Sequence, residues 1–201
     1  MPAPPRLVMA TRNAHKADEL SRMLATWGVD PLPDDVTLPP ETGETFAENA
    51  LGKARAAARA TGRPALGDDS GIRSDALGGA PGVRSARFAG EHATDLENLE
   101  LLRSRAPVGS GVAYVCALAV VLPDGVEHVV EGRCAGVVAA TPRGDGGFGY
   151  DPLFVPDALD DGRTMAELSP DEKAAISHRG AAVEALRPWL AARLGGGVNA
   201  G

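Results

Sequence analysis

Two adjacent carboxylates, Asp68 and Asp69, are the residues of this chain whose types and spacing most clearly suggest a chemical role. They follow the apolar residues Ala65 and Leu66, which predict the end of a strand, and they precede Ser70-Gly71, which predicts a turn. Like charges a few Å apart raise each other's pKa unless a cation lies between them, and hard oxygen ligands of this kind suit Mg²⁺. Because Asp, Ser and Gly are also ordinary turn residues, this stretch alone fits a metal site and a surface turn equally well.

Lysine is rare in this chain, since all but three of its 20 basic residues are arginine. Lys16, Lys53 and Lys173 each lie in a stretch that carries other candidate residues. Lysine offers a compact, flexible ammonium where guanidinium offers a rigid planar fork, so the three lysines are candidates for binding phosphate. Chance placement is the alternative for all three, and a solvated helix face is the alternative for Lys53.

A strand, a polar loop and a helix are predicted at the start of the chain. Arg6–Ala10 is a short apolar run, and the polar residues from Thr11 to Lys16 lead into a helix that ends at Gly28. Such a junction points backbone N–H groups at an anion, to which Thr11 and Asn13 could add side-chain donors. Both residues also suit a simple N-cap, and the G-x-x-x-x-G-K-[ST] pattern of a Walker A loop is missing.

The acidic pair is expected between a helix and a glycine-rich segment. Thr45-Phe46-Ala47-Glu48 is a capping box, and the helix that it opens is predicted to run to Thr61, with Asn49 and Lys53 on one face. A strand over Pro64–Asp69 then delivers the two carboxylates. The glycines at 71, 78, 79, 82 and 90 predict tight turns after this strand rather than a regular element.

A long hairpin and three further helices complete the predicted elements. The first hairpin strand is apolar nearly throughout, so it should be central in the sheet and covered on both faces. The hairpin strands are predicted over Gly111–Leu122 and Val126–Ala140, and a further strand over Pro152–Val155. One helix starts at the capping box Thr94–Glu97, with Leu96, Leu99 and Leu102 on one face, and the others start at Pro170 and at Ser177, the last ending near Leu194. Residues 29–43 are predicted to be a connection. Lys173 is expected in the first turn of its helix, which is the unfavourable end for a cation.

Composition bounds the class of protein. A chain of 201 residues, 44% hydrophobic, suits one domain with a buried core, and the net charge of −7 argues against duplex nucleic acid as a partner. No apolar run is long enough for a membrane helix, and no charged leader precedes an apolar segment. Cys116 and Cys134 lie in apolar runs and are predicted to be buried free thiols. These features favour the cytoplasm.

The candidate residues can meet at one edge of an open α/β sheet, where clefts beyond the carboxyl ends of strands bind ligands. Glu41, Asp68 and Asp69 could then hold Mg²⁺, and Phe148 could stack on a planar ring. The residues expected to neutralise phosphates are Lys16, Lys53, Lys173 and Arg179, and those expected to read ring edges are Asp151, His178 and Arg179. Together they predict a site for a metal–nucleotide polyphosphate.

These stretches resemble the inosine triphosphate pyrophosphatase family, the house-cleaning XTP/dITP diphosphatases. The resemblance covers nearly the whole chain and rests on Thr11–Lys16, Glu41-Thr42-Gly43, Phe46-x-x-Asn49, Asp68–Gly71, Leu77–Gly82, Ser85-Ala86-Arg87, Phe148–Pro152 and Ser177–Gly180. It implies an elongated mixed β-sheet flanked by helices, with two lobes around a central cleft, in a homodimer. It also implies hydrolysis of ITP, dITP and XTP to the monophosphate and pyrophosphate with Mg²⁺. We expect one such domain over residues 1–201, with 195–201 as a frayed tail.

The resemblance also assigns roles to matching residues. It implies that Glu41 and Asp69 are linked to the metal and that Asp69 is the general base; we add Asp68 as a further metal ligand. The triphosphate would contact Thr11, Arg12, Asn13, Ala14, His15 and Lys16, and the nucleotide would contact Ser70, Phe148, Gly149, Tyr150, Asp151, Lys173, His178 and Arg179. The sequence departs from the family at Arg12, where glycine is common, and at Gly67.

Two other functions fit parts of the pattern. One is a pyrophosphatase of the Maf kind, acting on pyrimidine or modified nucleotides, although the Ser-His-Arg and Phe-Gly-Tyr-Asp stretches argue against it. The other is a regulator that binds nucleotide without hydrolysis, which the intact carboxylate set disfavours.

Overall fold

Six strands and five α-helices form between residues 6 and 195, the part of the chain that this computed structural model describes. The strands are β1 Leu7–Ala10, β2 Val29–Asp30, β3 Ala65–Ser74, β4 Gly111–Val121, β5 Glu127–Val138 and β6 Phe154–Pro156. The helices are α1 Ala14–Met23, α2 Phe46–Thr61, α3 Asp95–Arg105, α4 Pro170–Ile176 and α5 His178–Leu194. Of the predicted tail, residues 196–201 lie outside the described range.

The strands form one mixed sheet in the order β2-β1-β3-β4-β5-β6. β1 is parallel to both β2 and β3, whereas β5 and β6 are antiparallel. Together with the five helices this confirms the predicted α/β class, a mixed sheet flanked by helices. As predicted, β4 lies inside the sheet and is buried over nearly its whole length. None of the helices within 6–195 has the length and apolar character needed to span a bilayer.

The chain divides into two units, and the first contains residues 6–69, 117–132 and 182–195 of the described range. Here the alanine-rich face of α2 packs on β1, with Ala54 and Ala57 fully buried. Gly67 in the neighbouring strand β3 allows α2 to lie close to the sheet, because a Cβ at that position would lie 2.1 Å from the backbone oxygen of Ala50. The departure from the family at Gly67 therefore has a packing reason.

The second unit contains residues 70–116 and 133–181. Its core is a cluster of buried side chains that β4 and α3 share with the segment from Tyr150 to Leu168. Tyr114, Leu153 and Phe154 lie in this cluster. The predicted two-lobed shape with a central cleft stays a prediction.

Local signals placed the helix starts correctly. Thr45 and Thr94 form the predicted caps, and Ser169 caps the helix predicted from Pro170. In each cap the side-chain hydroxyl accepts from the backbone N–H three residues on. In each case the acidic side chain at that third position accepts from the backbone N–H of the capping residue. Both cysteines are buried free thiols, as predicted.

Several boundaries differ from the predictions. The helix expected to reach Gly28 ends at Met23, and the connection predicted over 29–43 contains the short strand β2. The strand expected over Pro152–Val155 starts later, at Phe154, because a 3-10 turn occupies Asp151–Leu153. Leu96, predicted on the buried face of α3, is 66% exposed.

The largest correction concerns β3, which does not end at Asp69 but continues to Ser74. Two partners extend it: the N–H of Ser74 donates to the carbonyl of Ala80, and Arg73 forms an isolated bridge with Pro81. The acidic pair and Gly71 therefore lie inside a strand and not in a turn. The surface-turn alternative for Asp68-Asp69 is wrong, as is the prediction of a turn at Gly71. The tight turns predicted at Gly78, Gly79, Gly82 and Gly90 are confirmed, since all four have positive φ angles.

Candidate active site

The acidic pair lies in β3, immediately beyond the end of the neighbouring strand. The last residue of β1, Ala10, pairs with Gly67, so Asp68 and Asp69 are the first residues of β3 that β1 does not flank. Asp68 is fully buried and forms an ion pair with Lys16, whose Nζ lies 2.6 Å from Asp68 Oδ1. The sheet thus brings a lysine of α1 onto a carboxylate 52 residues away in sequence.

Asp69 is held by two residues of α2. Asn49 Nδ2 donates to Asp69 Oδ2 at 2.9 Å, and Lys53 Nζ lies 3.8 Å from Asp69 Oδ1. The same Lys53 Nζ lies 2.5 Å from Glu41 Oε1, so its ammonium is positioned between two carboxylates. Glu41, Asp68 and Asp69 are therefore all engaged by lysine within the first unit.

The face of α2 that carries Asn49 and Lys53 is buried, which contradicts the alternative of a solvated face for Lys53. The two residues are four apart and so share one side of the helix. The N–H of Gly43 donates to Asn49 Oδ1 at 2.8 Å, and this bond fixes the amide so that its NH₂ group points at Asp69. The Thr45 cap starts the helix at the register that places both side chains over β3.

Burial and the lysines act in opposite directions on Asp69. Desolvation raises the pKa of the Asp69 carboxyl above its usual value, and the charges of Lys53 and Lys16 offset part of this increase. Burial would lower the pKa of Lys53, but the carboxylates of Asp69, Glu41 and Asp68 together raise it. A carboxylate with a raised pKa is a better proton acceptor than an exposed one, which suits a general base.

The carboxylates fit a hard divalent cation by type but not yet by arrangement. Glu41, Asp68 and Asp69 supply the oxygen donors that Mg²⁺ prefers, and a divalent ion would compensate their buried charge. Within residues 6–195, however, no three His, Cys, Asp or Glu side chains are grouped closely enough to coordinate a metal. Lys53 occupies the space between Glu41 and Asp69, so metal binding there requires this lysine to move to another anion.

The loop from Thr11 to Lys16 is a capped helix start, as the alternative reading proposed. Asn13 Oδ1 accepts from the Lys16 N–H at 3.1 Å, and Thr11 Oγ1 accepts from the Asn13 N–H at 3.1 Å. Ala14 and His15 are exposed in the first turn of α1. The loop thus combines a solvent-exposed helix N-terminus with the lysine that pairs with Asp68.

Arg12 has a structural role, holding the segment after β2, that the sequence did not reveal. Its guanidinium donates to the backbone carbonyls of Leu32, Pro33, Asp34 and Val36. The arginine at position 12, where glycine is common in the family, therefore connects the segment after β2 to the loop after β1. The predicted contact with a triphosphate is untested, and the guanidinium is already engaged by this segment.

In the second unit, the candidate residues gather around the buried carboxylate of Asp151. Its Oδ2 accepts from Lys173 Nζ at 2.7 Å and from the Phe148 N–H at 2.9 Å, and its Oδ1 accepts from the Tyr114 hydroxyl at 3.0 Å. With three donors on one buried carboxylate, Asp151 organises the glycine loop and Lys173. The predicted role of Asp151 in reading a ring edge stays a prediction.

Two cations lie beside the ring of Phe148. Lys173 Nζ is 4.9 Å and the Arg179 guanidinium carbon is 5.3 Å from the ring centroid, distances typical of cation–π contacts. Arg179 also donates to Ser70 Oγ at 2.7 Å. Phe148, Ser70, Lys173 and Arg179 are thus brought together as predicted.

The remaining predicted residues support this cluster from inside. His178 is buried and stacks on Tyr114, with ring centroids 4.7 Å apart. The Tyr150 hydroxyl donates to the carbonyl of Ser85 at 2.7 Å, and the Gly149 N–H donates to Asp95 Oδ2 at 3.0 Å. Sequence reasoning missed Tyr114 and Asp95, because one is an apolar-looking strand residue and the other an ordinary first-turn acid.

Helix geometry explains the positions of the two cations. α4 has only seven residues, so Lys173 lies in its last turn and not in an unfavourable first turn as predicted. α5 begins two residues after α4 ends, and Gly180 allows their close approach, since a Cβ there would lie 1.9 Å from the carbonyl oxygen of Ala174. This tight corner places Arg179 and Lys173 on the same ring.

The sequence model of the Ham1 family matches residues 7–189 of this chain. The chain belongs to the Ham1 family. A "dITP/XTP pyrophosphatase" of Streptomyces avermitilis is 50% identical, covering 94% of this chain and 99% of that protein. The protein of the same name from Geobacillus kaustophilus is 49% identical, covering 90% of this chain and 91% of its own length.

Solved structures of the Ham1 family agree with this fold. A HAM1 protein from Coxiella burnetii superimposes with a TM-score of 0.81 at 41% identity, covering 94% of this chain and 99% of that one. A "Nucleoside-triphosphatase / dITP/XTP pyrophosphatase" from Mycobacterium abscessus gives a TM-score of 0.70 at 46% identity, covering 92% and 99%. The family resemblance seen in the sequence is confirmed.

Proposed function

We propose that this protein is a nucleoside triphosphate pyrophosphatase that hydrolyses ITP, dITP and XTP to the monophosphate and pyrophosphate with Mg²⁺, and so removes them from the nucleotide pool. One observation carries the proposal: the buried Asp69 carboxylate is flanked by Asn49, Lys53 and Glu41. The names of the Ham1 relatives support the same reaction.

The lysines of the first unit are suited to the phosphates. Lys16 and Lys53 neutralise buried carboxylates without nucleotide, and a polyphosphate offers them a stronger anion. Their release would leave Glu41, Asp68 and Asp69 to hold Mg²⁺, which when bound supplies positive charge and acidifies water. The N-terminus of α1 adds backbone N–H groups that favour phosphate.

The reaction is a displacement at the α-phosphorus. Asp69 accepts a proton from water, whose oxygen bonds to the α-phosphorus while the bond from that phosphorus to the α–β bridging oxygen breaks. The leaving pyrophosphate takes the electron pair of that bond, and Lys16 and Lys53 stabilise the charge that develops on it. Asp69 then returns its proton to solvent.

The cluster of the second unit is suited to the base. Phe148 offers a ring for stacking, and Arg179 or a backbone N–H offers a donor to the 6-oxo group of hypoxanthine and xanthine. Adenine carries a 6-amino donor at that position, so it would leave a buried donor unpaired. Such a mismatch discriminates strongly, on the order of 10⁴-fold.

The proposal extends to the state of the protein in the cell. The family resemblance supports a homodimer, and the net charge of −7 supports a small-molecule substrate over a nucleic acid. We propose a cytoplasmic enzyme without a membrane partner. Sedimentation equilibrium measures the dimer directly, and a monomer at micromolar concentration would contradict that part.

A nucleotide panel tests the function. The purified protein with Mg²⁺ receives ITP, dITP, XTP, GTP, ATP and pyrimidine triphosphates, and released pyrophosphate and orthophosphate are measured separately. We expect pyrophosphate from the first three at rates at least a hundredfold above ATP. Equal rates on ATP, or orthophosphate as the product, would contradict the proposal.

The same panel separates the alternatives. Preference for pyrimidine or modified nucleotides would favour an enzyme of the Maf kind. Binding of ITP in calorimetry without turnover would favour a nucleotide-binding regulator.

A further inference from the structure

Tyr114 lies in the middle of β4, outside all motifs that identify the candidate site. It is 7% exposed and belongs to the hydrophobic core of the second unit. Its ring stacks on Phe154, with centroids 4.5 Å apart. By pattern it is a core residue of an apolar strand, and a phenylalanine would fill the same space.

Two of its contacts go beyond packing. The hydroxyl donates to Asp151 Oδ1 at 3.0 Å, and the ring stacks on the imidazole of His178, with centroids 4.7 Å apart and planes inclined by 16°. Asp151 in turn holds Lys173 and the Phe148 N–H. One side chain therefore touches both the carboxylate that organises the glycine loop and the first residue of α5.

The chemistry of a phenol fits this position. Burial and the nearby Asp151 raise the pKa of Tyr114 well above its usual value, so the hydroxyl stays protonated and donates. It gives the buried carboxylate a donor without adding charge to the Asp151–Lys173 pair. The flat ring fixes the plane of the His178 imidazole, which a branched aliphatic side chain would not do.

We propose that Tyr114 is a positioning residue of the base-binding cluster: it sets the orientation of Asp151 through its hydroxyl and of His178 through its ring. This inference rests on the proposed function, because it assumes that the cluster binds a purine. Tyr114 touches no substrate in this role. It acts through Asp151 on Lys173 and the Phe148 loop, and through His178 on the start of α5.

Tyr114→Phe tests the hydroxyl, because it keeps both ring contacts. We expect the KM for ITP to rise about tenfold with kcat within about twofold. The lost hydrogen bond leaves Asp151, and with it Lys173 and the Phe148 loop, less well positioned for the ground state and the transition state alike. The dissociation constant of inosine monophosphate, measured by calorimetry, should rise by a similar factor. The preference for ITP over ATP should fall.

Thr164→Val is the matched control. Thr164 is fully buried in the same unit, and its hydroxyl donates to the carbonyl of Arg143 at 2.8 Å and not to Asp151. This variant also loses a buried hydroxyl bond and some stability, but it should keep the KM and the nucleotide preference. If both variants change KM equally, Tyr114 has only a structural role and the inference is wrong.

A double-mutant cycle tests the route through Asp151. In an Asp151→Asn background, Tyr114→Phe should weaken binding of inosine monophosphate by much less than in the wild type, because interacting residues are not additive. Full additivity would overturn the inference.

The outcomes separate this inference from the proposed function. Turnover of ITP with unchanged Tyr114→Phe kinetics overturns the inference alone. Binding of inosine monophosphate that Tyr114→Phe weakens, in a protein without turnover, overturns the proposed hydrolysis and supports the inference. A wild-type protein that neither hydrolyses ITP nor binds inosine monophosphate overturns both.

Discussion

Replacing Lys53 by methionine should destabilise the protein strongly. The side chain of Lys53 is 6% exposed and its ammonium lies between Glu41 and Asp69, at 2.5 Å and 3.8 Å from their oxygens. Methionine fills a similar volume but leaves these carboxylates without their shared cation. The physical cost is that of buried charge without compensation.

The size of the effect follows from burial. Removing one partner of a buried ion pair costs about 3–5 kcal/mol, and the lower end applies because the Glu41 side chain is 32% exposed. For a chain of this length, about 3 kcal/mol corresponds to a fall in Tm of about 6–12 °C. We expect this fall at pH 8.

The deficit should shrink on acidification. The pKa of Asp69 is raised above 3.8 in the folded protein, so the stability linked to its protonation is fully present below 3.8 and is lost as pH rises through the folded value. Without Lys53 that folded pKa rises further, and the loss extends to higher pH. The gap between variant and wild type should therefore be smaller at pH 5 than at pH 8.

Urea unfolding followed by tryptophan fluorescence measures this, because Trp27 and Trp189 both belong to the first unit. Arg55→Met is the matched control. Arg55 lies in α2, like Lys53, and pairs with Glu127 of β5, but its side chain is 49% exposed. That exposed pair should contribute at most about 1 kcal/mol. Equal losses in the two variants, or a Lys53→Met deficit that does not change with pH, would refute the reasoning.

Two further variants probe the strand that carries the acidic pair. Asp69→Asn should keep the fold, because the amide can still accept from Asn49, and should lower pyrophosphate release from ITP by about 10²–10⁴-fold; a near-normal rate would remove Asp69 from the role of base. Gly67→Ala should cost about 3 kcal/mol or more in urea unfolding, because its Cβ would lie 2.1 Å from the Ala50 oxygen. Gly62→Ala, with no atom near its Cβ but a φ of +65°, should cost only about 1–2 kcal/mol, and equal losses would contradict the packing argument.

The helix starts could be predicted because their cause is local. A cap and its partner lie three residues apart, so the sequence around Thr45, Thr94 and Ser169 indicates where each helix starts. Helix ends were less predictable. Leu24 and Trp27 continue the helical spacing of Leu20 and are buried, but they lie in the turn that follows α1.

The surroundings of Asp68 and Asp69 could not be predicted from their own stretch. Asp, Ser and Gly favour a turn, but the strand continues because partners at 80–81 bond to it and the Ser85 hydroxyl accepts from the Ile72 N–H. Gly71 has a place in a strand for the same reason, since a Cβ there would lie 2.3 Å from Ser85 Oγ. These are tertiary contacts, which override turn propensity.

The candidate site was predictable where unusual residue types marked it. Three lysines among so many arginines were predicted to bind phosphate. The sequence could not show that each of them pairs with a carboxylate, which the structure identifies as Asp68, Glu41 and Asp151. Tyr114 left no signal, because a tyrosine in an apolar strand is typical of a core. Its role follows only from the side chains that the fold brings to its hydroxyl and ring.

The pairing of every lysine with an acid also determines how the protein reacts with chemical reagents. Amine-reactive dyes and cross-linkers modify exposed lysines, yet Lys16, Lys53 and Lys173 have side-chain exposures of only 13%, 6% and 8%. Coupling through lysine amines would therefore be slow in the folded state, and each modified lysine would lose an ion pair of the candidate site. For the same reason, a protease that cuts after lysine would find its three sites only in molecules that have opened.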